Sequence, residues 1–369
     1  MNKKNKFLDN IKIPLAAVVV ALVVGAIIIA LTGSNPGVAY KALLQGCGIF
    51  PKKSYGATSN MFTDLLSFAN YFTPMIFAAL AVAVALKAGL FNIGVSGQML
   101  AAGLSATIIV GYSELNAVVA RPLVILIGAV VGGLAGALVG YLKFRFNINE
   151  VVSTIMFNYI FQYVGSFIIN TYYVDPVTRQ SKLIGQNARL SLKDAQIAGL
   201  KMDIPFGLIL AIICVFIVKF LIDKTTTGYE IKAVGLSRKA AKYAGINVGR
   251  TMVLSMFISG ILAGLAGVTY YMGYLGSIQP KVLVSTGYDA IAVSLLGNNN
   301  PVGIIFSTIL VSIISNGSAY MKSQAGVEAE IASVITGIIL IFSASNAYIK
   351  HVMDMRNANK ELKPEKEGK

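Results

Sequence analysis

The polar residues that could do chemistry in this chain are few, and they sit where apolar sequence breaks. Lys87-Ala88-Gly89-Leu90-Phe91-Asn92-Ile93-Gly94-Val95-Ser96-Gly97-Gln98 lies between two apolar runs and interrupts them with three glycines, an Asn, a Ser and a Gln. Backbone this irregular survives at membrane depth only where protein buries it or where it lines a water-filled cavity. A helix broken there also leaves free N–H groups or carbonyls pointed at whatever passes. Asn92, Gln98 and Asn158 are neutral amides that donate and accept together. They suit an uncharged polar cargo, and they equally suit hydrogen bonds between helices. Asp289 sits within a short apolar run, so it is a functional candidate by default. It also lies just after Gly287, at a helix start whose dipole favours an acid. Glu150 opens another run near the inner face, where that structural role weighs more. Asn92, Gly94, Ser96, Gly97, Gln98, Asn158 and Asp289 are therefore read as the lining of a path through the membrane. Covalent chemistry has little to work with. His351 is the only histidine, Cys47 falls in a loop and Cys214 lies mid-way along an apolar run, so neither a disulfide nor a metal site is expected.

The elements that must position these residues are long and apolar. Of 369 residues 56% are hydrophobic and 13% charged, about half the charge of a soluble protein. The expectation is an all-α polytopic membrane protein, with most of the chain in lipid. Ten runs approach the roughly 17–25 residues that a spanning helix needs. They are Pro14–Leu31, Phe72–Leu86, Gly97–Tyr112, Pro122–Leu142, Val151–Asn170, Pro205–Ile222, Thr251–Tyr274, Val282–Leu296, Val302–Tyr320 and Ile331–Ile349. The second and the eighth are short, as broken or re-entrant segments would be. The first is too long for a signal-peptide core and lacks a close cleavage site, so it is kept as a span. The chain reads as a single transmembrane domain over residues 1–369, with a short N-terminal tail at 1–13 and a basic tail at 350–369.

Lys and Arg collect on the cytoplasmic side of membrane proteins. With the N-terminus inside and the spans alternating, about two thirds of the 31 Lys and Arg fall inside, while the 16 acids divide evenly. This supports both ends being cytoplasmic in a cell membrane. It also assigns the net charge of +15 to topology and lipid contact, with no nucleic acid as partner. Two outer loops, Thr32–Tyr71 and Thr171–Ile204, are long and polar enough to receive an extracellular partner. Gly89 to Ser96 echoes Gly287 to Ser294, sharing Gly, Ile, Val and Ser in register. Two halves of five spans would run in opposite senses, so the echo raises an inverted five-helix repeat. Gly128, Gly132, Gly136 and Gly140, with Gly260 and Gly264, predict close packing between helices inside the protein.

The second informative stretch is the basic loop at 223–250. Ser237 suits an N-cap, Arg238-Lys239-Ala240-Ala241-Lys242-Tyr243-Ala244 follows, and Gly245 is a stop. That is a helix of about two turns, small on the Ala240, Ala241 and Ala244 side, and able to seat in a partner's groove.

Together these residues carry a resemblance. Phe91 to Gln98 resembles the FNIG-x-x-GQ signature of ABC-importer permeases of the branched-chain amino acid, simple sugar and nucleoside group. Asn149-Glu150-Val151-Val152-Ser153-Thr154-Ile155-Met156-Phe157-Asn158-Tyr159 resembles that group's NEV-x-x-T-x-M-x-NY signature. Tyr229 to Ile246 resembles its coupling loop. Gly287 to Val293, with Leu296-Gly297 through Pro301-Val302-Gly303, resembles its late signature. The four matches keep the family's order and look most like its nucleoside branch. The chain departs at Ser96, where the family usually has Glu, so any salt bridge or polar contact that Glu makes is lost here, while the neighbouring residues still match.

The resemblance implies a non-catalytic permease subunit that moves nucleosides by alternating access, paired with an identical or related permease. It implies an extracellular binding protein, and cytoplasmic ATPase subunits docking on Gly235, Ser237, Arg238, Ala240, Ala241, Tyr243, Ala244 and Gly245. ATP and Mg would be bound by that partner; this chain has no Gly-x-x-x-x-Gly-Lys-Ser/Thr loop of its own. Simple sugars are the near alternative. An ion-driven secondary transporter would need a mid-membrane acid or proton relay, and only Asp289 offers one.

Overall fold

The protein is seen in a computed structural model that describes residues 3–197, 199–328 and 330–344. The basic tail at 350–369 and the end of the tenth apolar run lie outside the described residues. In chain order the helices are α1 (Lys3–Leu31), α2 (Pro36–Gly46), α3 (Met61–Lys87), α4 (Val95–Ala106), α5 (Ala117–Phe146) and α6 (Glu150–Ile168). They continue as α7 (Phe206–Lys224), α8 (Thr226–Leu236), α9 (Arg238–Tyr243), α10 (Val248–Val268), α11 (Thr286–Leu296), α12 (Pro301–Ala325) and α13 (Glu330–Ala344). Three run on into π-helical turns: α4 at Thr107–Gly111, α6 at Ile169–Tyr173 and α10 at Thr269–Leu275.

Among the described residues, each of the ten apolar runs holds a helix over most of its length. By length and composition six cross a membrane: α3, α5, α6, α7, α10 and α12, counting the π turns of α6 and α10. A seventh is the apolar part of α1 with α2, bent by 118° between them. The remaining three, α4, α11 and α13, are shorter apolar helices.

The second span is not short. α3 begins eleven residues before the apolar run, at Met61, because Asn60 and Thr63 form a reciprocal capping box and Asp64 sits in the first turn, where the helix dipole favours an acid. Thr63, Ser67 and Asn70 are tolerated on this stretch since the helix has its own caps; only their polarity hid it. The supposed loop Thr32–Tyr71 accordingly holds α2, whose helix is started by Asn35 accepting from the Gly37 N–H and by Pro36 at the first position. The supposed loop Thr171–Ile204 ends in a small antiparallel hairpin, β1 (Ser191–Ile197) with β2 (Leu200–Pro205), turning at Gly199 with φ +78°. Its Lys201 N–H bonds the Thr58 carbonyl, which ties the two outer segments together.

At the centre α3 packs on α10, and these are the two most buried long helices. Each also packs on the short helix of the other half, α3 on α11 and α10 on α4. The glycine stripes meet each other. Gly132 and Gly136 of α5 lie on the backbone of Gly260 and Gly264 of α10, where a Cβ on either side would collide. Small residues thus let two long helices approach to backbone contact inside the subunit.

Candidate functional site

The broken segment begins where α3 stops. Gly89 turns the chain with φ +65°, a conformation that costs a residue with a Cβ. Leu90 to Gly94 then runs back along α3 without helix, and α4 starts afresh at Val95. Asn92 pins this return. Its Oδ1 accepts from the Gly94 N–H at 3.0 Å, and its Nδ2 donates to Gln98 Oε1 at 3.0 Å and to Ser259 Oγ at 2.9 Å. Ser259 in turn donates to the Ala81 carbonyl at 2.7 Å. One amide therefore joins the break to α4, α10 and α3.

Asn158 does the same from α6. Its Oδ1 accepts the Gly97 N–H at 2.8 Å, in the first turn of α4, where helix N–H groups lack intrahelical partners. Its Nδ2 donates to the Ile93 carbonyl at 3.1 Å and to Tyr288 Oη at 3.2 Å. Ser96 donates to the Val284 carbonyl at 2.8 Å and is fully enclosed. Gly287 lies directly on the Ser96 backbone, so the first turns of α4 and α11 touch with no room for a Cβ on Gly287. At this close approach a Glu in place of Ser96 would need space that Gly287 and Val284 now fill.

Six of the seven path candidates, Asn92, Gly94, Ser96, Gly97, Gln98 and Asn158, thus form one buried cluster. In this conformation their polar atoms bond to protein. Asp289 stands apart, in the first turn of α11, with its carboxylate engaged by Ser285. Glu150 pairs with Lys143 at 2.9 Å across the turn from α5 to α6, which is a structural use of the charge. Sequence reading missed Ser259 and Tyr288. Both were in view, one beside Gly260 and the other beside Asp289, but each acquires its role from a partner over a hundred residues away.

The basic loop folds into two helices, α8 and α9, where one was expected. Thr225 caps α8 and Ser237 caps α9, accepting from the Ala240 N–H at 3.3 Å, and Gly245 ends the second with φ +81°. Ala240, Ala244 and Gly245 face outward, but Ala241 is buried against its own chain. The prominent outward side chains are Leu236 and Tyr243, 89% and 94% exposed. This pair of helices touches the break itself. Gly235 lies on the Lys87 carbonyl with no space for a side chain, and Arg238 Nη2 donates to the Gly89 carbonyl at 3.2 Å.

Residues 65–344 match the family described as the branched-chain amino acid transport system, permease component. The nucleoside ABC transporter permease protein NupB of Lactococcus lactis subsp. cremoris is 35% identical over 367 residues, covering 98% of this chain and 97% of that one. The guanosine ABC transporter permease protein NupP of Bacillus subtilis is 35% identical over 350 residues, covering 94% and 97%. The glucose ABC transporter permease protein TsgB13 of Haloferax volcanii is 27% identical over 357 residues, covering 91% and 88%. With the family's match extending over most of its length, and the buried cluster at the break and the paired basic-loop helices in place, this chain belongs to the permease components of the branched-chain amino acid transport family.

Proposed function

We propose that this chain is one membrane-spanning half of an ATP-driven importer of nucleosides, seated in the cell membrane with both termini cytoplasmic. A second permease, identical or related, completes the pore, and an extracellular binding protein delivers the cargo. The ATPase docks on α8 and α9 through Leu236, Ala240, Tyr243, Ala244 and Gly245. The observation that carries this reading is the contact of α8 and α9 with Lys87 and Gly89. A push on the docking helices enters the break there and reaches Asn92 within three residues. Asn92 and Asn158 hold the break against α10 and α6, so a shift of the break moves the start of α4. No bond is made or broken in this chain; ATP and Mg act in the partner.

The nucleoside assignment is supported by the two relatives at 35% identity, named for nucleosides and for guanosine, against 27% for the one named for glucose. Uptake of labelled guanosine by cells with and without this chain tests it. Loss of uptake on deletion, with competition by unlabelled nucleosides but not by ribose, is the expected result. Unchanged guanosine uptake in cells with no other route overturns it and leaves simple sugars, the second reading, which the glucose-permease relative supports.

A further inference from the structure

The outer end of α4 and the outer end of α6 both finish in π-helical turns, and each turn delivers a tyrosine to the same place. Tyr112 and Tyr173 stack, with ring centroids 5.2 Å apart and planes 18° from parallel. Tyr172 meets Tyr173 edge-on at 6.4 Å. π-helical turns are rare and frequently found at functional sites. Here they shift the register of the last turn. Tyr159, Tyr163 and Phe167 follow one another at four-residue spacing along α6, and Tyr172 comes five later; all four are more than half exposed.

The stacked pair is held in place by the segment that follows it. The Lys182 N–H bonds the Tyr173 carbonyl at 2.9 Å, the Gly185 N–H bonds the Gly111 carbonyl at 3.0 Å, and Tyr112 Oη donates to the Lys182 carbonyl at 3.1 Å. Between this strap and the two tyrosines lies an open cavity of about 430 Å³, lined by Tyr112, Ser113, Tyr173, Lys182 and Leu183. That volume suits a small ligand. Its lining combines flat rings, a hydroxyl on Ser113 and an ammonium on Lys182, and includes no carboxylate.

We propose that Tyr112 and Tyr173 form a receiving platform on the outer face, where the base of an incoming nucleoside stacks before it enters along α6. The proposal rests on the nucleoside reading above. The rings take the base, as aromatic side chains do for every nucleobase because each has a π-face. The Lys182 ammonium is placed to donate to oxygens of base or ribose, and Ser113, whose own proton goes to the Val110 carbonyl at 2.7 Å, can accept from a ribose hydroxyl. The platform stands at the end of α4 opposite the Asn92 cluster, about 25 Å away by the rise of the helix. It is therefore a separate station on the same route.

Photolabelling of the assembled transporter in membranes with 8-azidoguanosine tests the platform, alongside uptake of labelled guanosine by the same preparation. The label is expected on peptides carrying Tyr112 or residues 172–185, competed by guanosine and not by ribose. Tyr173→Leu keeps an apolar side chain and removes the ring; the half-saturating concentration for labelling should rise about tenfold, the scale of one lost stacking contact. Tyr173→Phe should label as the parent does. Guanosine uptake with labelling elsewhere, or with Tyr173→Leu labelled as the parent, overturns the platform and leaves the nucleoside reading standing. Ribose competing as strongly as guanosine also overturns it. No guanosine uptake and no label in the parent transporter overturns both.

Discussion

Asn92 serves three partners from three elements, and that sets what its loss should do. Asn92→Leu fits the volume but leaves the Gly94 N–H, Gln98 Oε1 and Ser259 Oγ without that partner. Each buried group left unsatisfied costs about 1–3 kcal/mol. The expected outcome is a lower melting temperature of the purified transporter as well as lost uptake, read by thermal unfolding and by transport on the same sample. A variant as stable as the parent that fails only in uptake would instead favour direct contact with cargo. Gly287→Ala is a second case. The new Cβ meets the Ser96 backbone as well as its side chain, so trimming Ser96 to Ala should not rescue it. Uptake assayed in the single and double variants should be equally low. These residues were visible in the sequence as polar or small positions in apolar surroundings. Whether the amides faced cargo or protein was not, because Ser259 and Asn158 are brought to the break only by the packing of α10 and α6.

Among the elements, α8 and α9 carry the clearest division of labour. Leu236 and Tyr243 project from the protein with nothing among the described residues to cover them, whereas Ala241 packs inward. Leu236→Asp or Tyr243→Asp should abolish co-purification of the ATPase subunit while leaving the permease yield unchanged. Ala241→Asp should lower that yield, since it buries a charge. Arg238→Ala separates docking from transmission. It removes the hydrogen bond to the Gly89 carbonyl, so ATPase binding should persist while uptake per ATP hydrolysed falls. Loss of binding in Arg238→Ala would place that residue in the interface instead. The second of these helices was legible from its Ser cap and Gly stop. α2 and the first turns of α3 were not, because hydropathy is silent where Thr63, Asp64, Ser67 and Asn70 line a helix that its own capping box secures. The β1–β2 hairpin escaped for a related reason: its strands are short, charged and held from outside by Thr58.

At the scale of the whole molecule the two halves repeat feature by feature. Asn60 caps α3 and Asn247 caps α10. Gly89 and Gly276, both at positive φ, break the chain after them. Short helices α4 and α11 follow, then α5 and α12, capped by Asn116 and Asn300 and ended by the left-handed residues Asn147 and Gly326. An ion pair brackets each of those last turns, Lys143–Glu150 in one half and Lys322–Glu328 in the other. The helix starts pair Val95 with Thr286, which is about two turns from the register of the sequence echo. The echo pointed to the right two elements but not to the right residues, because the turns that start each helix, and not the shared letters, fix the correspondence. Ser96 and Gly287 are then equivalent positions, and they touch, as symmetry mates do on a two-fold axis relating two halves. Each half holds five apolar helices, and an odd number of crossings reverses the second half in the membrane. The turn after α5 should therefore face the cytoplasm and its counterpart after α12 the outside. With Cys47 and Cys214 replaced by Ala, Ile148→Cys and Gln324→Cys place single thiols at exposed sites beside these turns. A membrane-impermeant maleimide added to intact cells should label Gln324→Cys and reach Ile148→Cys only after permeabilisation. Labelling of both from the same side would mean that the chain between the two sites loses a crossing, with α11 dipping in and returning rather than passing through. The reversed sense of the two halves, and with it the axis through Ser96 and Gly287, would then be lost.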